Sequence, residues 1–128
     1  MNTKAVGSIG EIIAENFLCE KGYEILDRNF VFRIPGNPQK GEIDIVAQKS
    51  GVISFIEVKT LRQFPSAVFL PEDKVDFQKQ RKLRLAAESW LMKKRVPLNS
   101  KWQIDVIAIR VDLNSEKAKI RHFKNAVC

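Results

Sequence analysis

Cysteine and histidine are almost absent from this 128-residue chain, with two of the first and one of the second. Two cysteines make no disulfide framework, and a lone histidine without a cysteine cluster offers no zinc-binding set. Glycine and proline are sparse as well, at six and five residues, which excludes a linker-rich or low-complexity protein. No run approaches the ~20 apolar residues that a membrane span needs. The opening Met1-Asn2-Thr3-Lys4 leads into amphipathic sequence, not into the apolar core of a signal peptide. A soluble cytoplasmic domain with no membrane association is the expectation. Cys19 is expected to pack as a small buried hydrophobe and His122 to be an ordinary half-buried or surface histidine.

Positive charge, by contrast, is plentiful. The chain carries 22 basic and 15 acidic side chains, a net +7. Lys79, Arg81, Lys82, Arg84, Lys93, Lys94 and Arg95 face the single acid Glu88 in one short window, so nearly all of the excess sits there. A concentrated basic stripe is the electrostatic footprint of a nucleic-acid partner, although a solvated helix face uses the same residues. With 45% hydrophobic residues and this length, residues 1–128 form one domain with a proper core.

Apolar residues at Val6, Ile9, Ile13 and Phe17 recur at helical spacing and predict a helix over Lys4 to Glu20, ended by Gly22 in a left-handed cap. Tyr23 to Phe32 predicts a strand, and Pro35 to Pro38 a loop. Glu42 to Lys49 and Val52 to Thr60 alternate around Ser50-Gly51 and predict a hairpin. After a proline-punctuated loop from Phe64 to Pro71, Asp76 is placed to cap a helix over Phe77 to Arg95 that Pro97 stops. Its apolar stripe is Leu83, Ala86, Ala87, Trp90 and Leu91. Trp102 to Val111 and Ala118 to Phe123 are the last two strands. The order helix, three strands, helix, two strands makes an α/β or α+β domain.

A two-residue turn at Ser50-Gly51 pairs Lys49 with Val52. Continued along the hairpin, that register sets Asp44 opposite Glu57 and Glu42 opposite Lys59, with all four on one face. Ile43, Ile45, Ile56 and Val58 would then form an apolar surface on the other. Carboxylates directly opposite each other destabilise a sheet, and a divalent cation removes that repulsion. Hard oxygen ligands suit Mg²⁺ or Mn²⁺. The competing reading is the wet face of a half-exposed hairpin, with Lys59 in a surface ion pair.

Asp44, a turn, then Glu57-Val58-Lys59 resembles the signature of the PD-(D/E)xK nuclease superfamily. Gly7 to Glu11, Gly41 to Val46 and Phe55 to Thr60 resemble, more narrowly, the YraN-like bacterial family, related to archaeal Holliday-junction resolvases; Ile104-Asp105-Val106-Ile107 fits as well. The resemblance implies a restriction-endonuclease-like core, a mixed sheet flanked by helices. It also implies that Asp44, Glu57 and the Val58 carbonyl ligate Mg²⁺ or Mn²⁺. Lys59 would orient or deprotonate the attacking water, and Glu11 would help to hold a second ion. Lys79, Arg81, Lys82 and Arg84 are the expected phosphate contacts, and Asp105 is expected to be structural within its strand.

The leading expectation is a metal-dependent endonuclease acting on DNA phosphodiesters, directed by structure rather than sequence. The alternative is a non-cleaving nucleic-acid-binding module of the same fold in a DNA-processing assembly; a protein-interaction domain is the third reading. So small a domain offers limited surface to a branched junction, which favours a symmetric homodimer.

Overall fold

Ser50 and Gly51 both adopt positive φ, at 53° and 77°, as a two-residue hairpin turn with the right-handed strand twist requires. The turn joins β2 (Lys40–Lys49) to β3 (Val52–Arg62) and pairs Lys49 with Val52, as the alternation predicts. The computed structural model describes residues 3–33, 35–36, 40–62, 77–97, 99–112, 114–115 and 117–126. Around the hairpin run α1 (Thr3–Glu20), β1 (Glu24–Arg33), α2 (Phe77–Lys93), β4 (Trp102–Asp112) and β5 (Lys117–Phe123). The five strands form one sheet in chain order, antiparallel except for β3 and β4, which run parallel across the α2 connection. The element order and the mixed sheet are those read from the sequence. The Asp76 cap and the Phe64–Pro71 loop lie outside the described residues.

The two helices cover opposite faces. Leu83, Ala86, Ala87, Trp90 and Leu91 of α2 pack against Phe55, Ile104 and Val106, with Trp90 edge-on to Phe55 at 5.6 Å between centroids. Ala14 and Leu18 of α1 pack against Ile45, Ile56, Ile107 and Ile109 on the other side. The centre of the α1 face is Gly10, Ala14 and Leu18, four residues apart, with Ile13 and Phe17 on its flank. Cys19 follows Leu18 by 100° around the helix and is exposed, not buried as expected. Gly22, at φ 91°, closes α1, and the amide of Tyr23 returns to the Leu18 carbonyl at 2.9 Å.

Two glycines set how closely the helices approach the sheet. A Cβ on Gly10 would overlap Thr60 Oγ1, and a Cβ on Gly41 would lie 2.8 Å from the Lys82 carbonyl oxygen of α2. Each precedes an acid, Glu11 and Glu42.

The alternation of β2 breaks at Asp44. Ile43 belongs to the α2-side core and Ile45 to the α1-side core, although they are two residues apart. The ladder to β1 brackets the break with Phe30↔Ile43 and Arg28↔Ile45, leaving Asn29 opposite Asp44 with φ at 52°. A left-handed residue turns the strand locally, so the side chains beyond it change faces. The apolar surface expected of Ile43, Ile45, Ile56 and Val58 is therefore divided, and so is the acidic one.

Candidate functional site

Beyond Ile45↔Ile56 the β2–β3 ladder stops, while β3 stays paired with β4 through Arg62. The two strands part, and the Val58 amide donates to Asp44 Oδ2 at 2.7 Å in place of a backbone carbonyl. An extended residue directs its N–H and C=O to the same side, so the Val58 carbonyl also faces this opening. The slit broadens into a cleft of about 360 Å³ lined by Lys40, Gly41, Glu42, Asp44, Glu57, Lys79, Lys82 and Leu83.

Four carboxylates meet here from both sides of the sheet, which replaces the single acidic face expected from the hairpin register. Glu57 follows Phe55 on the α2 side, and its Oε1 accepts from Lys79 Nζ at 2.6 Å. Glu11 comes from α1 and feels Glu42, Asp44 and Glu57. Glu42 lies between Gly41 and Ile43, both turned to α2, and so projects away from that helix.

Asp44 sits at their centre. Burial first, then the Glu57 charge, push its carboxyl up to about 8, opposed by the Val58 amide and raised further by Glu11 and Glu42. Burial and the Glu42 charge raise Glu11 too, while a hydrogen bond with Asp44 lowers it. Two carboxyls can share such a bond only with one proton between them, and the strongly raised Asp44 is the better placed to hold it.

The expected site residues are thus partly gathered. Glu11, Asp44, Glu57 and the Val58 peptide converge, as the motifs imply. Lys59 is half-buried two residues beyond Glu57 and outside the cleft lining. Of the expected phosphate contacts, Lys79 and Lys82 line the cleft, with Lys79 bound to Glu57. Arg81 and Arg84 are exposed and do not line it. Glu42, which the hairpin register sets on one face with Asp44 but which the resemblance gives no role, joins the cluster and helps to raise both Glu11 and Asp44. Asp105 is fully buried and receives Gln103 Nε2 at 2.9 Å and the Asn125 amide at 2.8 Å, with His122 Nε2 at 2.8 Å. It ties β4 to β5 and the chain beyond it, the structural role expected, and explains the half-buried His122.

A half-buried carboxyl raised by burial and by three neighbouring acids fits a divalent cation, which would take the place of a proton and offset the repulsion. Among the described residues, no three Asp, Glu, His or Cys side chains already stand at ligand spacing. Glu57 would have to exchange Lys79 for the ion.

Fold and site together define an α/β domain whose mixed sheet opens, between β2 and β3, onto a slit of acids flanked by basic residues of α2. Residues 10–109 match the uncharacterised protein family UPF0102, and the chain belongs to that family, the YraN-like group. A UPF0102 protein of Clostridium tetani is 37% identical over 96% of this chain and 93% of its own length. One from Alkaliphilus oremlandii is 37% identical over 96% and 97%. One from Caldanaerobacter subterraneus subsp. tengcongensis is 38% identical over 98% and 97%. A crystal structure of a protein of unknown function aligns with 81% of this chain at 20% identity and a TM-score of 0.37; the chain spans about half of that longer protein, 47%. No helix among the described residues is long and apolar enough to cross a membrane.

Proposed function

We propose that this protein is a metal-dependent endonuclease acting on nucleic-acid phosphodiesters, DNA in the first instance. The observation that carries the reading is Asp44, half-buried among Glu11, Glu42 and Glu57 and pushed to about 8, in a cleft whose other wall bears Lys79 and Lys82. Lys79 neutralises Glu57 directly, yet burial and the remaining acids still raise the carboxyls of Glu11 and Asp44, as a site built for a cation would.

Asp44 and Glu57 would hold the ion, with the Val58 carbonyl on the same side and Glu11 reaching Asp44 from α1. A bound Mg²⁺ or Mn²⁺ supplies an activated water and offsets the charge that develops on the phosphate oxygens. Lys59, next after Glu57 on its face of β3, would take up the proton from that water or neutralise the phosphate. Lys79 and Lys82 would bind the phosphate across the cleft, setting the scissile bond against the acids. No base-reading element is needed, since phosphate contacts fix position without sequence.

The direct test is cleavage of labelled single strand, duplex, flap and four-way junction with EDTA, Mg²⁺ or Mn²⁺. Cutting that requires the metal supports the reading and ranks the substrates. Binding without cutting in any condition favours a non-cleaving module, and neither binding nor cutting removes nucleic acid from consideration.

Lys79 and a cation compete for Glu57. Lys79→Met is expected to bind Mn²⁺ several-fold to about tenfold more tightly than wild type, because one positive charge leaves the ligand's oxygen, while losing turnover. Calorimetric titration with Mn²⁺ measures it, and unchanged or weaker affinity would mean that Glu57 is not a ligand.

A further inference from the structure

The sheet ladder carries a second set of cations away from α2. Lys59 pairs with Ala108 and Ala108 with Arg121; two residues on, Leu61 pairs with Arg110 and Arg110 with Lys119. Paired residues share a face. That face is the α2 side, because the preceding row is Glu57, Val106 and Phe123, and Val106 and Phe123 pack in the α2-side core. The alternate residues Ile107, Ile109 and Ile120 face α1. Lys59 and Arg121 therefore stand one row beyond Glu57 and Arg110 and Lys119 two rows beyond it, with Lys117 following opposite Asp112. Neighbouring strands lie about 4.8 Å apart and same-face residues about 7 Å apart, so four cations occupy a patch of roughly 10 by 7 Å.

Lys117, Lys119 and Arg121 are exposed, whereas Lys59 and Arg110 are half-buried. Arg110 Nε is buried and has no hydrogen-bond partner among the described residues. Lysines on an edge strand discourage pairing between molecules, and β5 is an edge. That explanation covers Lys117 and Lys119. It does not cover Arg110, which is on the interior strand β4, nor the alignment of both rows with Glu57.

We infer that this β3–β4–β5 face is a binding track for a nucleic-acid phosphate backbone, continuous with the acid slit and distinct from the outward stripe of α2. Its ligand chemistry is a run of phosphodiesters: guanidinium and ammonium groups on two rows receive successive phosphates as the strand crosses from β5 to Glu57. The track's direction rests on the proposed nuclease reading; the binding surface itself does not.

The experiment is fluorescence anisotropy of the full chain with labelled single-stranded and duplex DNA in EDTA over a salt series, so that no cleavage enters the readout. A Lys117→Gln, Lys119→Gln, Arg121→Gln triple variant is compared with an Arg81→Gln, Arg84→Gln double variant. The triple is expected to bind about tenfold or more weakly and to reduce the salt slope by roughly two to three, one contact per lost charge. Its thermal melt should match wild type, and Lys119→Glu alone should weaken binding in the same sense. Unchanged affinity and slope in the triple, with the loss confined to the α2 double, would overturn the track and leave the nuclease reading standing. Wild-type protein that binds neither DNA would overturn both.

Discussion

Asp44→Asn is expected to abolish the proposed metal-dependent cleavage, with a loss on the order of 10³-fold or more for a residue that acts as part of a unit, and to make the metal-free protein more stable. Both follow from one side chain. In the folded chain its carboxyl is held at about 8, against an ordinary 3.8. Below about pH 4 the folded and unfolded chains both hold that proton and no penalty exists. Between 4 and 8 the unfolded chain releases it while the folded chain keeps it, so stability falls as pH rises through this window. Discounted for solvent at the slit, the loss is of order 3 kcal/mol, or roughly 10 °C in Tm for a domain of this size. Glu11, also raised, acts in the same direction. Asparagine has no proton to release, so its melts in EDTA should vary less between pH 5 and 8 and lie above wild type at pH 8. Thermal melts across pH measure the difference. A lower melting point for Asp44→Asn at pH 8 would make the carboxylate a structural hydrogen-bond acceptor and remove the basis of the metal site.

The second large effect belongs to Asp105, and it is one of stability alone. This fully buried carboxylate is met by Gln103, His122 and the Asn125 amide. Asp105→Ala strands those groups without an acceptor and should cost about 3–5 kcal/mol. Tm should drop by roughly 10–20 °C. Asp105 faces α1 and takes no part in raising Asp44. The folded variant, assayed well below its melting point, should therefore equal wild type in Mn²⁺ affinity and in the proposed cleavage. Lost Mn²⁺ affinity in a folded Asp105→Ala protein would move this residue into the site.

These two aspartates mark how far the sequence could be read. Both sit inside apolar strand patterns, and the alternation placed both strands. The Ser50-Gly51 turn gave the hairpin register, and the pairs from Lys49↔Val52 to Ile45↔Ile56 follow it. Extrapolating the register past Ile45 failed because the β2–β3 ladder ends there, beside Asn29, a residue of the neighbouring strand whose left-handed conformation no pattern within β2 reports. Period two assumes an unbroken pleat, and the site lies where the pleat breaks. The chain's basic stripe was legible as charge but not as direction: Lys79 and Lys82 line the cleft, Arg81 and Arg84 do not, and a single residue, about 100° of helix rotation, separates Arg81 from Lys82. The cations of β3, β4 and β5 are scattered along the chain, so only the ladder assembles them. Cys19 shows the same limit on a smaller scale, since a helix position one residue past the core is already in water.

Gly10 and Gly41 give the acid slit its width. Each stands where helix and sheet leave no room for a Cβ, and each is followed at once by one of the acids. A contact made through a side chain shifts with every change of rotamer, whereas one made against a missing methyl group has no torsion to vary. At Gly41 the facing atom is the Lys82 carbonyl oxygen, so the seat of Glu42 is gauged by backbone alone, and at Gly10 it is the short, stiff side chain of Thr60 that seats Glu11. The interior can exchange one aliphatic residue for another, and the aperture between the acids keeps its calibration.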